Sequence, residues 1–363
     1  MKEPCECERR IMSPVNLFGP ETAKYHDEWI DSLKKLARKR AEAGKFPMEF
    51  IVSSPPVEPG GDQSSAGREQ ASGPTSQRTG AEAGGAKQLR QDEVDEKIAA
   101  AIMAKVKVLP RPVIVLIGGG GAAGKSVFAK RLREHLESPD GYRMNVQRLE
   151  LDHYFYPVEL IADRESDGKY DNPLNSDLLR AKKTLQILRG ELQLPDGELL
   201  TVPVHDRDKH LRAEQSSRPR EELRTAQIIL VDGLYCLGPI LCELGDIGIY
   251  IDASPRDRAK GRVWRDVNVR VGRDEEHVVG MLMGREVYHR MFVEPTQFVA
   301  DYIIRRPPTG GELKVFYKDE VAECLAAACQ KVGLEPERID LLTKLFDELQ
   351  KGKEAERAAQ TEP

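Results

Sequence analysis

Residues 113–132 read VIVLIGGGGAAGKSVFAKRL. The opening VIVLI is apolar throughout instead of alternating, which suits a strand covered on both faces, as in a parallel sheet. Four glycines come directly after it. Then Val127, Phe128, Leu132 and Leu136 recur at the spacing of one helix face. A buried strand that runs through a glycine loop straight into a helix is the unit from which α/β folds are built. Residues 119–126, GGGAAGKS, also match G-x-x-x-x-G-K-[ST] in the context that gives the pattern meaning. Glycine lets backbone N–H groups close around phosphate oxygens, and the helix N-terminus adds partial positive charge. The cradle comprises Gly119, Gly120, Gly121, Ala122, Ala123, Gly124, Lys125, Ser126 and Val127. Lys125 is placed to reach the β- and γ-phosphates of a nucleotide, and Ser126 to hold Mg²⁺. The competing reading is a glycine-rich turn before a helix.

Composition removes several classes. The chain has 363 residues and a net charge of −5, so no basic excess suggests nucleic acid as a partner. No run of eighteen apolar residues predicts a membrane span. The N-terminus, MKEPCECERRIMSP, lacks the apolar stretch of a secretory signal. Six scattered cysteines without a CxxC pair are expected to be free thiols in a reducing cytoplasm. Cys5 and Cys7 are a two-ligand metal alternative lacking further partners.

The rest of the chain divides by pattern. Residues 1–52 form an N-terminal extension with a helix at 21–44, where Tyr25, Trp29, Leu33, Leu36 and Ala37 share a face. That helix packs on the main domain, or alternatively binds a partner protein; a homo-oligomer is also open. Residues 53–91 are polar, with Val57 the one large aliphatic between 53 and 88, and read as a flexible linker. Removing residues 1–91 is expected to leave activity. Residues 92–110 resume helical spacing through Val94, Ile98, Ala101 and Ile102, and prolines at 110 and 112 stop the helix. Residues 111–308 alternate strands (113–117, 146–151, 227–232, 247–252, 301–305) with helices (125–137 and 174–190), which predicts a doubly wound α/β domain. Residues 309–351 read as C-terminal helices and 352–363 as a disordered tail.

Three further signals carry chemistry. Asp152, in LELDHYFYP, ends an apolar-rich segment, where ligands of open α/β sheets bind. It suits a proton acceptor or a Mg²⁺ contact, and otherwise a helix N-cap. Asp232, in IILVDGLY, closes a second buried strand at the place of a metal-ordering acid, though Asp-Gly is also a common turn. Arg262, Arg265, Arg270 and Arg273 fall within twelve positions. They are a solvated face or, beside a phosphate loop, a set of guanidinium forks for phosphoryl oxygens.

Taken together, residues 111–308 resemble uridine–cytidine kinase, within the uridine kinase and phosphoribulokinase group of P-loop kinases. GGGAAGKS resembles that family's phosphate loop and LDHYFY its strand-end Asp followed by aromatics. YDNPLNSDLL is similar to its D-x-P segment, VPVHDRDKHLR to its P-V-Y-D-x-x-x-H-x-R stretch, RVWRDVNVRVGRD to its lid, and FVEPTQFVADYIIRRP to the segment beyond the lid. The resemblance implies a P-loop NTPase-type parallel sheet with helices on both faces, here with helical N- and C-terminal extensions. It implies ATP and Mg²⁺ as cofactors and uridine or cytidine as acceptor. Asp152 would be the base; Arg265, Arg270 and Arg273 the lid clamp; Ser126 and Asp232 the metal contacts. Tyr154, Asp171, His205, His210, Arg262 and Arg273 would contact the substrate, with Asp171 on the ribose hydroxyls and His210 on the pyrimidine. The chain departs from the family where Asp232 replaces a usual Glu, His205 a Tyr and Arg207 an aromatic, and where Val271 lengthens the lid. The departures at His205 and Arg207 make the nucleobase side more polar. A kinase of another small hydroxylated substrate, such as a sugar phosphate, and a nucleotide sensor without turnover are the alternatives.

Overall fold

The computed structural model describes residues 20–43, 49–53, 87–156, 171–194, 199–202, 221–268, 285–286 and 288–306. In chain order these form α1 (Pro20–Glu42), β1 (Glu49–Ser53), β2 (Lys87–Leu89), α2 (Gln91–Val108), β3 (Val113–Gly119), α3 (Lys125–Glu137) and β4 (Val146–Glu150). Then come α4 (Leu178–Leu188), β5 (Thr201–Val202), β6 (Glu221–Glu222), β7 (Ile228–Asp232), β8 (Ile247–Asp252), α5 (Pro255–Asn268) and β9 (Tyr302–Arg305). Short 3₁₀ turns at Leu151–Tyr154 and Pro173–Asn175, and a π-helical turn at His289–Val293, complete the site region.

Seven strands make one sheet in the order β2-β1-β9-β8-β3-β7-β4. Every neighbouring pair in it is parallel. The unbroken apolar runs now have their cause, because alternate residues serve two cores. Ile114, Leu116, Ile229, Val231, Tyr250 and Ile303 point to a layer containing α1 and α4. Val113, Val115, Ile117, Ile228, Leu230, Ile249 and Ile304 point to the opposite layer, containing α2 and α3. The predicted P-loop-type parallel sheet with helices on both faces is what the chain forms. From β3 the chain crosses to β4 on one side, and β7 to β8 crosses to the other. The order therefore reverses about β3, which puts a crevice at the carboxyl ends beside it.

The N-terminal extension is part of this core. Trp29, Ile30, Leu33 and Ala37 of α1 are all buried. Burial of each large apolar side chain among them is worth roughly 1.5–3 kcal/mol. Arg40 pairs with Asp301 at 2.6 Å and donates to the Ala300 carbonyl at 3.0 Å. Removal of residues 1–91 would uncover part of one face of the sheet, which bears against the expectation that such a truncation keeps its activity. A correction concerns the linker at 53–91. β1 adds to the sheet edge through Phe50↔Ile303 and Ile51↔Ile304, and β2 pairs Ile51↔Lys87 to Ser53↔Leu89, so strand residues occupy both ends of that segment. β2, at the sheet edge, is only three residues long, too few to show a period in the sequence. The C-terminal helices and tail predicted for 309–363 lie outside the described residues. Among the described residues no helix is long and apolar enough to cross a membrane, and Cys236 and Cys242 are free thiols.

Candidate active site

The phosphate loop joins β3 to α3. Gly119 has φ +131°, and a Cβ there would collide with the Ile251 carbonyl oxygen, so no other residue fits against β8. Gly124 is the α3 N-cap at φ 100°. A plain turn would leave the lysine after it in solvent. Instead Lys125 is almost fully buried and folds back over its loop, donating to the Gly120 carbonyl at 2.7 Å. Burial pushes its ammonium below the ordinary lysine value, and Asp152, Asp232 and Asp171 act against that shift. All three carboxylates thus favour the charged form of Lys125. Val127, the last residue of the predicted cradle, is exposed.

Asp232 sits at the end of β7, in register with Ile117 of β3 and Glu150 of β4. It accepts from the Ser126 hydroxyl at 2.7 Å. Arg148, on β4, donates to both Asp232 oxygens at 2.8 and 3.0 Å and reaches Glu150 at 3.2 Å. The Ser126 hydroxyl and Asp232 carboxylate are hard oxygen donors side by side, a set that fits Mg²⁺. Among the described residues no group of three or more His, Cys, Asp or Glu could hold a metal ion. A magnesium ion held here would therefore complete its shell with nucleotide phosphates and water.

Asp152 lies in the 3₁₀ turn that continues β4, half-buried at the strand's carboxyl end. Tyr154, two residues on and expected to contact substrate, has its ring fully buried in the α4 layer, and its hydroxyl donates to Thr184 Oγ1 at 3.0 Å. Closeness in sequence to Asp152 suggests a shared face, but the turn carries the ring to the other side.

Asp171 precedes a 3₁₀ turn begun by Asn172, whose Oδ1 accepts from the Leu174 N–H at 3.0 Å, with Pro173 at the first position. Burial raises the Asp171 carboxyl above the usual range, and Asp152 raises it further; Arg285, Lys125 and Arg265 pull it back. Arg262 Nη1 is 4.0 Å from Asp171 Oδ2. The Tyr235 hydroxyl donates to the Asp171 main-chain carbonyl.

α5 starts where the Ser254 hydroxyl accepts from the Asp257 N–H at 3.1 Å, with Pro255 at the first helical position. It lays its arginines over the loop: a Cβ on Gly121 would sit 2.6 Å from Arg262 Nη1. The fully buried Asp266 holds Arg265 at 2.8 Å and Arg262 at 3.5 Å. The structure thus brings Lys125, Ser126, Asp152, Asp171, Asp232, Arg262 and Arg265 to one sheet edge. His205, Arg207, His210, Arg270 and Arg273 lie outside the described residues.

Sequence reasoning does not find several residues of this cleft. Arg258 pairs with Glu286 through 2.7 and 2.5 Å bonds and donates to the Ala253 carbonyl at 2.6 Å. Arg285 and His289 line the same cleft as Gly121 and Asp171. Burial, with Arg258, Lys125 and Arg290 nearby, drives His289 well below the ordinary histidine value. Arg148 does carry a signal: a charge inside a strand with apolar ends needs a buried partner. For Arg258 and Glu286 nothing local points to the pair.

Comparison with known proteins finds relatives of the chain. The model of the phosphoribulokinase / uridine kinase family matches residues 114–311. A uridine kinase of Bacillus cereus (strain B4264) is 30% identical over 227 residues, covering 62% of this chain and 98% of that protein. A uridine kinase of Macrococcus caseolyticus is 30% identical over 210 residues, covering 57% and 93%. Among solved structures, D-glycerate 3-kinase from Cryptococcus neoformans var. grubii aligns with 60% of this chain and 98% of its own at 13% identity and a TM-score of 0.41. The helix α1, strands β1 and β2 and helix α2 all precede the matched segment.

Proposed function

This chain belongs to the phosphoribulokinase / uridine kinase family, and from that premise we propose that it transfers the γ-phosphoryl group of ATP to the 5′-hydroxyl of uridine or cytidine. That it is a P-loop kinase, a phosphotransferase acting on an alcohol, comes from the family. The choice of acceptor is the proposal. The observation that supports it is that Asp171 lines one cleft with Gly121 of the phosphate loop, with Arg262 Nη1 4.0 Å from its carboxylate.

In this reading the N–H groups of residues 119–127 and the Lys125 ammonium hold the β- and γ-phosphates. Ser126 and Asp232 hold Mg²⁺, which when bound screens phosphate charge. Asp152 accepts the proton of the attacking hydroxyl. The new bond joins that oxygen to the γ-phosphorus as the bond to the bridging β-phosphate oxygen breaks. Arg265, with Arg270 and Arg273, neutralises charge spreading over the equatorial oxygens. Asp171 accepts from vicinal ribose hydroxyls, Arg262 steadies it from 4.0 Å, and His205 and His210 read the base.

A second reading has its own support. Arg258, Arg262 and Arg285 line the cleft around Asp171, and guanidinium groups also suit an anionic acceptor such as a sugar phosphate. The test is a panel of nucleosides, polyols and sugar phosphates scored by ATP consumption. Uridine and cytidine as the best acceptors support the proposal. A sugar phosphate as the best acceptor replaces it, and no turnover with any of them favours the sensor reading.

A further inference from the structure

We propose that α1, which lies outside the segment shared with the family, is a positioning element for Asp171, acting through Trp29 and Tyr235. The proposal rests on the reading of Asp171 as the acceptor-binding carboxylate.

The chain of contacts is continuous. Trp29 and Tyr235 are both buried, and their rings meet edge to face, 6.1 Å apart at 85°. Phe292 meets Trp29 from the π-helical turn at 5.7 Å and 85°. On its far edge Trp29 is wedged against the turn after β7, where a Cβ on Gly238 would overlap Trp29 Cη2. Packed this way, the Tyr235 ring has no room to change rotamer. Its hydroxyl is therefore aimed, and it donates to the main-chain carbonyl of Asp171. The carboxylate of that residue stands 4.0 Å from Arg262. α1 itself is pinned at its far end by Arg40, which pairs with Asp301 at 2.6 Å.

A ring that merely filled space would need no hydroxyl here. Tyr235 instead donates its hydroxyl to the backbone of the carboxylate residue read as holding the acceptor's ribose hydroxyls. Loss of the Trp29 wedge frees the tyrosine, and Asp171 then loses both a hydrogen bond and its fixed place. Misplacement of a binding group by about 1 Å can cost on the order of 10²-fold in rate. Both rings are buried in the α1 layer and reach the site through Asp171, so the effect should fall on the acceptor.

The test uses the full-length protein with uridine and ATP. KM for each, kcat and Tm are measured for wild type, Tyr235→Phe, Trp29→Phe, Trp29→Ala and Asp171→Asn. Tyr235→Phe is expected to raise the uridine KM about 5- to 10-fold, the scale of one lost hydrogen bond, with the ATP KM within about twofold. Trp29→Ala should do the same or more, and Trp29→Phe should restore most of it. If Trp29→Ala does not fold, Tyr235→Phe and Trp29→Phe still decide. A raised uridine KM in Asp171→Asn with none in Tyr235→Phe overturns the positioning role and leaves Asp171 as the acceptor residue. No change in Asp171→Asn overturns the acceptor reading and the positioning role with it. A lowered Tm with unchanged uridine KM in both α1-side variants makes α1 a structural brace only.

Discussion

The Ser126 hydroxyl donates to the Asp232 carboxylate at 2.7 Å, joining the first turn of α3 to the end of β7. Arg148 takes the same carboxylate from the other side through two bonds. A short Asp in place of the family's usual Glu is thus held in position from two directions. Ser126→Ala is expected to weaken apparent Mg²⁺ affinity about 10- to 100-fold, the usual cost of losing a metal-site oxygen or its support. Titration of activity against Mg²⁺ at saturating ATP checks this. An unchanged Mg²⁺ dependence would remove Ser126 from the metal site.

Lys125 is held buried among its loop carbonyl and three nearby acids at a cost to its charged form. Its folded value lies below its unfolded one, so the folded state binds fewer protons between the two. Stability of the nucleotide-free protein therefore rises with pH across that window, and the cost is fully present below it. Lys125→Met should raise Tm at neutral pH by a few degrees while abolishing transfer, a trade of stability for function. A lowered Tm, or residual turnover near wild type, would contradict this.

Asp152→Asn should leave ATP binding intact and slow transfer by about 10²–10⁴-fold. Nucleotide affinity by calorimetry and single-turnover rates separate the two effects. Lost ATP affinity with an unchanged rate would make Asp152 a metal contact instead of the base.

Local features are the ones legible in the sequence. β3, β7 and β8 are buried on both faces, so their residues are apolar in unbroken runs, and the glycine loop between β3 and α3 is a contiguous motif. Asp232 ends such a segment, and Asp152 follows β4 in the turn beyond it, so both inherit their places from the sheet. Relations across distance are not legible. Arg148 and Asp232 are 84 residues apart, and Arg40 and Asp301 are 261 apart. The apolar stripe of α1 shows a helix that must bury one face, yet nothing local names Tyr235 and Phe292 as its partners. Tyr154 lies buried because the 3₁₀ turn carries it into the core beside Asp152.

Residues 20–43 are expected to be needed for the fold. Trp29→Ala is expected to cost about 3–5 kcal/mol, as for other buried tryptophans. Truncation before residue 44 should yield aggregated or unfolded protein, because the α1 layer covers one sheet face. Denaturant unfolding and solubility measure these. A soluble, fully active truncation would show that the sheet face closes without α1.

A ribonucleoside acceptor is tested most sharply by kcat/KM for uridine and 2′-deoxyuridine, in wild type and in Asp171→Asn. A buried carboxylate that accepts from vicinal hydroxyls leaves a charged acceptor unpaired when one hydroxyl is missing. Wild type should prefer uridine by roughly 10- to 100-fold, the scale of a lost hydrogen bond to a charged group. Asp171→Asn should lose most of that preference, chiefly through slower use of uridine. Equal use of the two nucleosides by wild type, or an undiminished preference in Asp171→Asn, would contradict the ribonucleoside kinase reading.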